Sequence, residues 1–388
     1  MSTLKVGGIR GVSASSDAIT VANDGTCTAN VTNNLSNRNL IINGAMQVAQ
    51  RGTSSTSTGY QTVDRFACNF DNITNSPTQA QVDVASGTGP YNSGFRKAFK
   101  ITNGNQTIGA DDRLRIQCIL EAQDVANSGW NYTSTSSYIT LSFWVKSSVA
   151  QNFFVRLQAS DGTSQNYVVE TGPLSADTWT KITKTIPGNS NLTFDNNNGS
   201  GLVIDFGPFY GTNFTGTRPL NAWAAYDGAA RFPDFPTTWF GTNNATFEIT
   251  GVQLEVGSVA TDFEHRLYPD ELQRCYRYCQ RFDPSGNTFR FICQGSVDND
   301  GNTLATVFFF LTPFRTAPSS LTTTGDATDY AIRRDTTKTC TSVPGMYSPS
   351  AFTAGVSFVS SGHGWNTGDA GNAQFRSNNA YLIFSAEL

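Results

Sequence analysis

The chain contains two histidines, His265 and His363, so a Ser-His-Asp or Cys-His relay would have to use one of them. His265 stands in a Glu264-His265-Arg266 corner, where the backbone or Glu264 can satisfy the ring without any catalytic role. Neither a G-x-S-x-G nucleophile elbow nor a G-x-x-x-x-G-K-[ST] phosphate loop occurs, so hydrolase and nucleotidase readings lose their usual anchors. Cys275 and Cys279 resemble a ligand pair, but structural zinc takes four ligands and no second pair or histidine stands at matching spacing. Both are expected to be small buried core residues, with no metal and no cofactor. Asp298, Asp300 and Asn302 begin like a calcium loop, yet Thr303 replaces the required glycine and the closing glutamate is missing. Glycoside cleavage needs only two carboxylates brought together by folding, and Asp111, Asp112, Asp161, Asp177, Asp205 and Asp234 remain open as members of such a pair.

Sugar binding asks for an aromatic plate under the apolar face of the ring and planar polar groups at its hydroxyls. The glycine-rich loop "SGHGWNTGD" supplies His363, Trp365, Asn366 and Asp369. "GPFYGTNF" and "NAWAAYDG" supply Tyr210, Trp223 and Tyr226. Each has a structural alternative: Trp365 folds back on its own domain or packs on another subunit, and the other three cover the rim of a larger domain.

These loops need strands to hold them. In "YITLSFWVK", Ile139, Leu141, Phe143 and Val145 alternate with Thr140, Ser142, Trp144 and Lys146, the period of a sheet with one buried face. "NFFVRLQA" repeats this through Phe153, Val155, Leu157 and Ala159, and residues 113–121 do so through Leu114, Ile116, Cys118 and Leu120. Asp161-Gly162 and Asn299-Asp300-Gly301 mark hairpins. In "FEITGVQLEV", Phe247 and Ile249 fall out of step with Val252, Leu254 and Val256, and a bulge at Gly251 restores the register. "RLYPDELQRCYRYCQRF" reads as a linking helix over residues 268–282, with Leu272, Cys275, Tyr276 and Cys279 as its apolar stripe. Beyond it, residues 283–388 return to β character and end on "YLIFSAEL", a buried terminal strand.

The totals agree with an all-β chain of two or three domains: 388 residues, 35 glycines, 14% charged residues and 12% aromatics. A net charge of -4 gives no basic stripe for nucleic acid. No signal peptide and no membrane span is expected. Seven scattered cysteines point to reduced thiols and folding in a cytoplasm. Residues 1–38 are rich in Ser, Thr, Ala, Val and Asn and too poor in aromatics to build a core, so they read as an attachment arm whose short β-like pieces pair within an assembly.

"NLSNRNLIINGAMQVAQRGTS", continuing through "YQTVDRFACNF", together with "GVQLEVGSVATDFEHRLYPDELQRCYRYCQRF", resembles the recurrent module of bacteriophage tail-fibre and virion-surface proteins of marine and cyanobacterial phages. Between these ends, "SYITLSFWVKSS" and "SADTWTKITKTIPG" resemble carbohydrate-binding-module jelly rolls. The resemblance runs from Asn39 to Phe282, and the leaders at the start of the chain are similar to those of the same proteins. It implies an N-terminal extended arm (1–38), a jelly-roll β-sandwich (39–267) whose first strand includes "NLIINGAM", the short linking helix and a distal C-terminal β-sandwich. It further implies a homotrimer on the virion, assembled in the host bacterial cytoplasm. The arm would join other virion proteins, and exposed loops would adhere to host surface glycan or protein without catalysis. A head-decoration or tail-assembly protein with no receptor role and a glycan depolymerase are the alternatives. The family signature brings no catalytic residues with it.

Overall fold

The computed structural model describes residues 6–12, 17–21, 27–29, 37–362 and 364–388. The chain is all-β. Near the start, Gly8–Ile9, Ile19–Val21 and Cys27–Ala29 form a small antiparallel sheet by pairing with one another.

Two six-stranded antiparallel sheets then face each other. The front sheet runs, in spatial order, Trp223–Ala225, Gln165–Glu170, Phe154–Ala159, Ser200–Tyr210, Arg113–Glu121 and Ala67–Asp71. The back sheet runs Thr180–Pro187, Tyr138–Ser147, Thr246–Val256, Lys97–Thr102, Thr78–Asp83 and Ser54–Ser55. The alternating residues named above meet between them: Leu114, Ile116, Leu141, Phe143, Val155, Leu157 and Phe247 lie in one core, joined there by Phe206. Edge-to-face pairs such as Phe143 with Phe206, 5.0 Å apart, fill it.

Thr246–Val256 is bulged as its sequence requires. Its register against Tyr138–Ser147 shifts between Thr250 and Gln253, and Gly251 sits at φ +63. A side chain there would also strike the ring of Phe95, 2.6 Å from the Cβ position. Glycine is therefore needed for both its backbone angle and its emptiness.

Alternation accounts for only one face of the front sheet. Phe154 and Arg156, on the opposite face from Val155 and Leu157, are buried as well. The segment after Tyr210 folds over them, setting Phe235 5.0 Å from Phe154 and Phe232 5.4 Å from the Arg156 guanidinium. Beneath it Arg156 pairs with the fully buried Asp205.

Two expectations are corrected. "NLIINGAM" is not a strand: residues 38–49 contain no strand, and Asn43 and Met46 hold positive φ. Buried amides impose this shape. Asn39 bonds Ile41 N (2.9 Å), Leu254 N (3.1 Å) and Val252 O (3.2 Å), and Asn43 donates to Val48 O and Asp64 O (both 2.9 Å). The Glu264-His265-Arg266 corner locks the same segment. Glu264 accepts from Asn37 N and Asn39 N (both 2.8 Å), while Arg266 donates to Asn39 O (2.6 Å) and Ile41 O (3.2 Å). The corner thus closes the sandwich onto its own entry.

The linking helix is also shorter than residues 268–282. It spans Tyr268–Cys275, with Pro269 in its first turn; of the expected stripe Cys275 is fully buried and Leu272 half-buried, and Glu271 is buried beside them. Cys279–Phe282 is instead a strand, because Leu382–Ser385 at the far end of the chain pairs with it.

That pairing begins a second sandwich. Cys279–Phe282, Leu382–Ser385 and Ser320–Thr323 make a short distal sheet. It packs on a seven-stranded long distal sheet ordered Thr337–Thr339, Tyr330–Arg333, Ala370–Phe375, Phe291–Val297, Thr303–Phe309, Thr353–Val359 and Gly345–Tyr347. Leu304, Phe308, Val356, Phe358, Leu382 and Phe384 form its core.

A buried polar clasp joins the two sandwiches. Glu387 of the distal unit pairs with Arg65 and with Arg51 (3.2 Å), and the Arg65 guanidinium lies 3.4 Å over the Tyr278 ring. Tyr278 donates to Glu121, and Arg277 grips the same carboxylate at 2.6 and 2.7 Å. Burial alone would raise the Glu121 carboxyl, but the hydrogen bonds from Arg277 and Tyr278 outweigh it and hold the group below its ordinary value. Its stabilising contribution is therefore present above the unfolded value near 4.5 and is lost as pH falls below that. Asp64 runs the other way. Burial pushes it up to about 6 against the opposing pull of Arg51, so its ionisation lowers stability as pH rises from 3.8 to about 6. Urea unfolding across this range is expected to lose its acid-side decline in Glu121→Gln and its decline between these two values in Asp64→Asn. Unchanged pH profiles in both variants would contradict these assignments.

Candidate functional site

The seven residues singled out from the sequence do not converge. Tyr210 is corrected outright: it is 1% exposed, its hydroxyl lies 3.5 Å from Asp205, and the Phe232 ring lies tilted against it 4.6 Å away. It belongs to the core beneath the covering segment. Trp223 lies on the edge strand of the front sheet, donating Nε1 to Pro187 O at 2.7 Å with its ring 5.2 Å from Tyr167. Tyr226 is exposed, with the Arg231 guanidinium 5.9 Å from its ring.

Trp365 is half-buried and roofs the distal core. A Cβ at Gly371 would come within 2.7 Å of its ring, beside Leu304. Asn366 and Asp369 close the turn beneath it: Asn366 N donates to Asp369 Oδ2 at 2.9 Å, and Arg334 reaches the same oxygen at 2.6 Å. His363 lies outside the described residues.

The carboxylates open to a hydrolytic pair have separate structural partners. Asp205 is paired with Arg156, Asp111 accepts from Asn213 (2.7 Å), Asp112 from Gly109 N (2.7 Å), Asp161 from Asp195 N (3.0 Å) and Asp234 from Thr215 (2.6 Å). Asp177 sits in a turn at φ +54. Cys275 and Cys279 are fully buried thiols, pushed well up by that burial, and among the described residues no cluster of three or more His, Cys, Asp or Glu could hold a metal.

The arrangement best suited to a ligand is on the outer face of the back sheet. Trp144 projects there from Tyr138–Ser147, directly across from Lys181 on one side and Thr250 on the other. A short turn of helix, Gly89–Asn92, abuts the indole so closely that a Cβ on Gly89 would lie 2.7 Å from it. Phe95 fills the notch left by Gly251, and Phe263 meets Phe95 edge-on at 4.8 Å. His265 completes the cluster 4.9 Å from Phe263, its Nε2 hydrogen-bonded to Ser93 O at 2.9 Å. Between these walls lies a cavity of about 340 Å³, with Ser142, Lys181, Asn92 and Asp262 at its floor and rim. This is the small end of the range for ligand pockets, roughly 300–1,000 Å³. An apolar plate with hydroxyl, ammonium, amide and carboxylate groups around it can stack a sugar ring and bond its hydroxyls.

The bulge and the His265 corner therefore build this trough as well as closing the fold. Sequence reading missed Trp144, although the signal was present: a tryptophan on the face that alternation leaves to solvent.

A larger cavity, about 820 Å³, lies beside the linking helix. Its arginines are engaged by neighbouring side chains, Arg277 with Glu121, Arg266 with Glu264 (3.1 Å) and Arg274 with the Asn37 amide oxygen (2.6 Å). Its aromatic, Tyr278, is buried. It is a joint between elements.

No protein-family model and no curated protein matches the chain. Among solved structures, the enzymatically active domain of tailspike protein 4 from bacteriophage CBA120 is similar at 10% identity and a TM-score of 0.29. That alignment covers 56% of this chain and 21% of the tailspike, so the chain spans about a fifth of its length. The N-terminal cellulose-binding domain of Cellulomonas fimi β-1,4-glucanase C is similar at 8% identity and a TM-score of 0.26, covering 55% of this chain and 99% of that one. The family 11 carbohydrate-binding module of a Clostridium thermocellum cellulase is similar at 11% identity and a TM-score of 0.25, over 54% and 96%.

Proposed function

We propose that this chain is a non-catalytic adhesion protein of a virion appendage, a homotrimeric tail fibre or receptor-binding protein whose back-sheet trough takes a neutral sugar of the host surface. The observation that carries the sugar reading is Trp144, part-exposed in a concave site with Ser142, Lys181, Asn92 and Asp262 around it. The attachment role rests on the sequence signature from Asn39 to Phe282 and on an arm too poor in aromatic residues to build a core of its own. Multiple copies on one particle would turn weak individual contacts into avidity.

Truncating the platform tests this. Trp144→Ala is expected to weaken glycan binding by ~30-fold or more, the effect of removing a central aromatic anchor worth ~2 kcal/mol. Trp365→Ala, which unroofs the distal core, is expected to lower stability and leave affinity unchanged.

A second reading, a structural virion component without a receptor role, is favoured by one feature: the uncharged apolar face of the distal sandwich.

A further inference from the structure

One end of the outer face of the long distal sheet, formed by Thr303–Phe309, Thr353–Val359 and Gly345–Tyr347, is apolar and open. Val307 and Phe309 of Thr303–Phe309 are 52% and 76% exposed, and Leu311 just beyond the strand is 63% exposed. Tyr347 and Phe352 join them at 42% and 65%. Strand pairing makes this one surface. Val307 lies opposite Gly355, Gly355 lies opposite Tyr347, and Phe309 lies opposite Thr353, with Phe352 exposed in the turn just before that strand. At Gly355 the missing side chain lets the Tyr347 ring lie flat on the sheet, 2.3 Å from where a Cβ would stand. The result is a level aromatic face.

Its second property is the absence of charge. No Asp, Glu, Lys or Arg occurs from Asn302 to Phe314, nor from Thr339 to Gly368, the segments that supply this face. A basic or acidic partner finds no counter-charge here, and a membrane surface finds no Lys or Arg for its headgroups. A second copy of the same face meets neither like-charge repulsion nor an ion to be desolvated. The area agrees. Side chains of this size at these exposures present roughly 500 Å² per copy, so two copies bury roughly 1,000 Å², the lower bound for a specific interface.

We infer that the Val307–Phe309–Tyr347–Phe352 face is buried against a second copy of this chain. A face that meets its own copy pairs two-fold, so this contact is distinct from the three-fold contacts of the proposed fibre, and it is independent of the sugar trough.

Light scattering on the full purified chain at tens of micromolar tests it, with Phe309→Glu and Phe352→Glu as separate variants, each checked for native circular dichroism. The wild type is expected to run as a multimer. Either variant is expected to fall to half the wild-type mass while its affinity per chain for a glycan bound by the wild type is unchanged. A multimer that keeps its mass in both variants would overturn the inference while leaving the oligomer intact. A monomeric wild type would overturn both, and lost sugar binding at unchanged mass in Trp144→Ala bears on the trough alone.

Discussion

Asp205→Ala is expected to destabilise the chain by ~3–5 kcal/mol, because it strands a buried guanidinium. Asp205 is fully buried, Arg156 is 4% exposed, and each is the other's charge partner. Burial works against the Arg156 charge, and the neighbouring Asp205 more than restores it. The pair is not fully satisfied by protein: Arg156 Nε and Nη1, Asp205 Oδ1 and both side-chain atoms of Asn166 have no protein hydrogen-bond partner. Removing the carboxylate leaves the cation with less still. Removing both charges, as in Arg156→Met with Asp205→Leu, is expected to cost far less or to stabilise, since the desolvation penalty disappears with the ions. Urea unfolding of the two variants separates these outcomes. A single variant within ~1 kcal/mol of wild type would mean that the covering segment admits solvent to the pair.

Glu387→Ala is expected to uncouple the two sandwiches. Its carboxylate is the shared partner of Arg65 and Arg51, and the backbone beside it accepts from Arg315, at Ala386 O (2.7 Å) and Glu387 O (3.0 Å). Arg65 is 2% exposed and held at φ +70, a backbone state that a bulky residue keeps only when its surroundings fix it. Breaking a buried pair of this kind costs ~3–5 kcal/mol. The wild type is expected to melt in one calorimetric transition and the variant in two, the distal unit first. One undivided transition at the wild-type temperature would show that the apolar contacts at the joint suffice without the clasp.

What could be read from the sequence was local. Gly251 announced its bulge because two runs of apolar residues were one position out of step, and Asp161-Gly162 and Asp300-Gly301 announced hairpins because those dipeptides suit positive φ. The failures were long-range. Cys279 continues a helical stripe, but Leu382–Ser385, more than a hundred residues later, pairs with it as a strand. "NLIINGAM" looks extended, but Asn39 and Asn43 turn their amides inward to bond backbone from three other segments. Arg156 sits where alternation leaves a residue to solvent, and nothing in its own strand indicates that residues after Tyr210 will cover it.

The same limit governed the site. Aromatics in glycine-rich loops attracted attention, yet Tyr210 and Trp365 are both used for packing. The trough draws Asn92, Trp144, Lys181 and Asp262 from separate elements, so no stretch of sequence contains it.

Binding of the purified chain to an array of neutral glycans, repeated with folded Trp144→Ala and Trp365→Ala, bears most directly on the proposed function. Carbohydrate adhesion through the back sheet requires that wild type and Trp365→Ala bind the same glycans and that Trp144→Ala loses them. A wild type that binds no glycan, or a Trp144→Ala variant that binds as well as wild type, would contradict it.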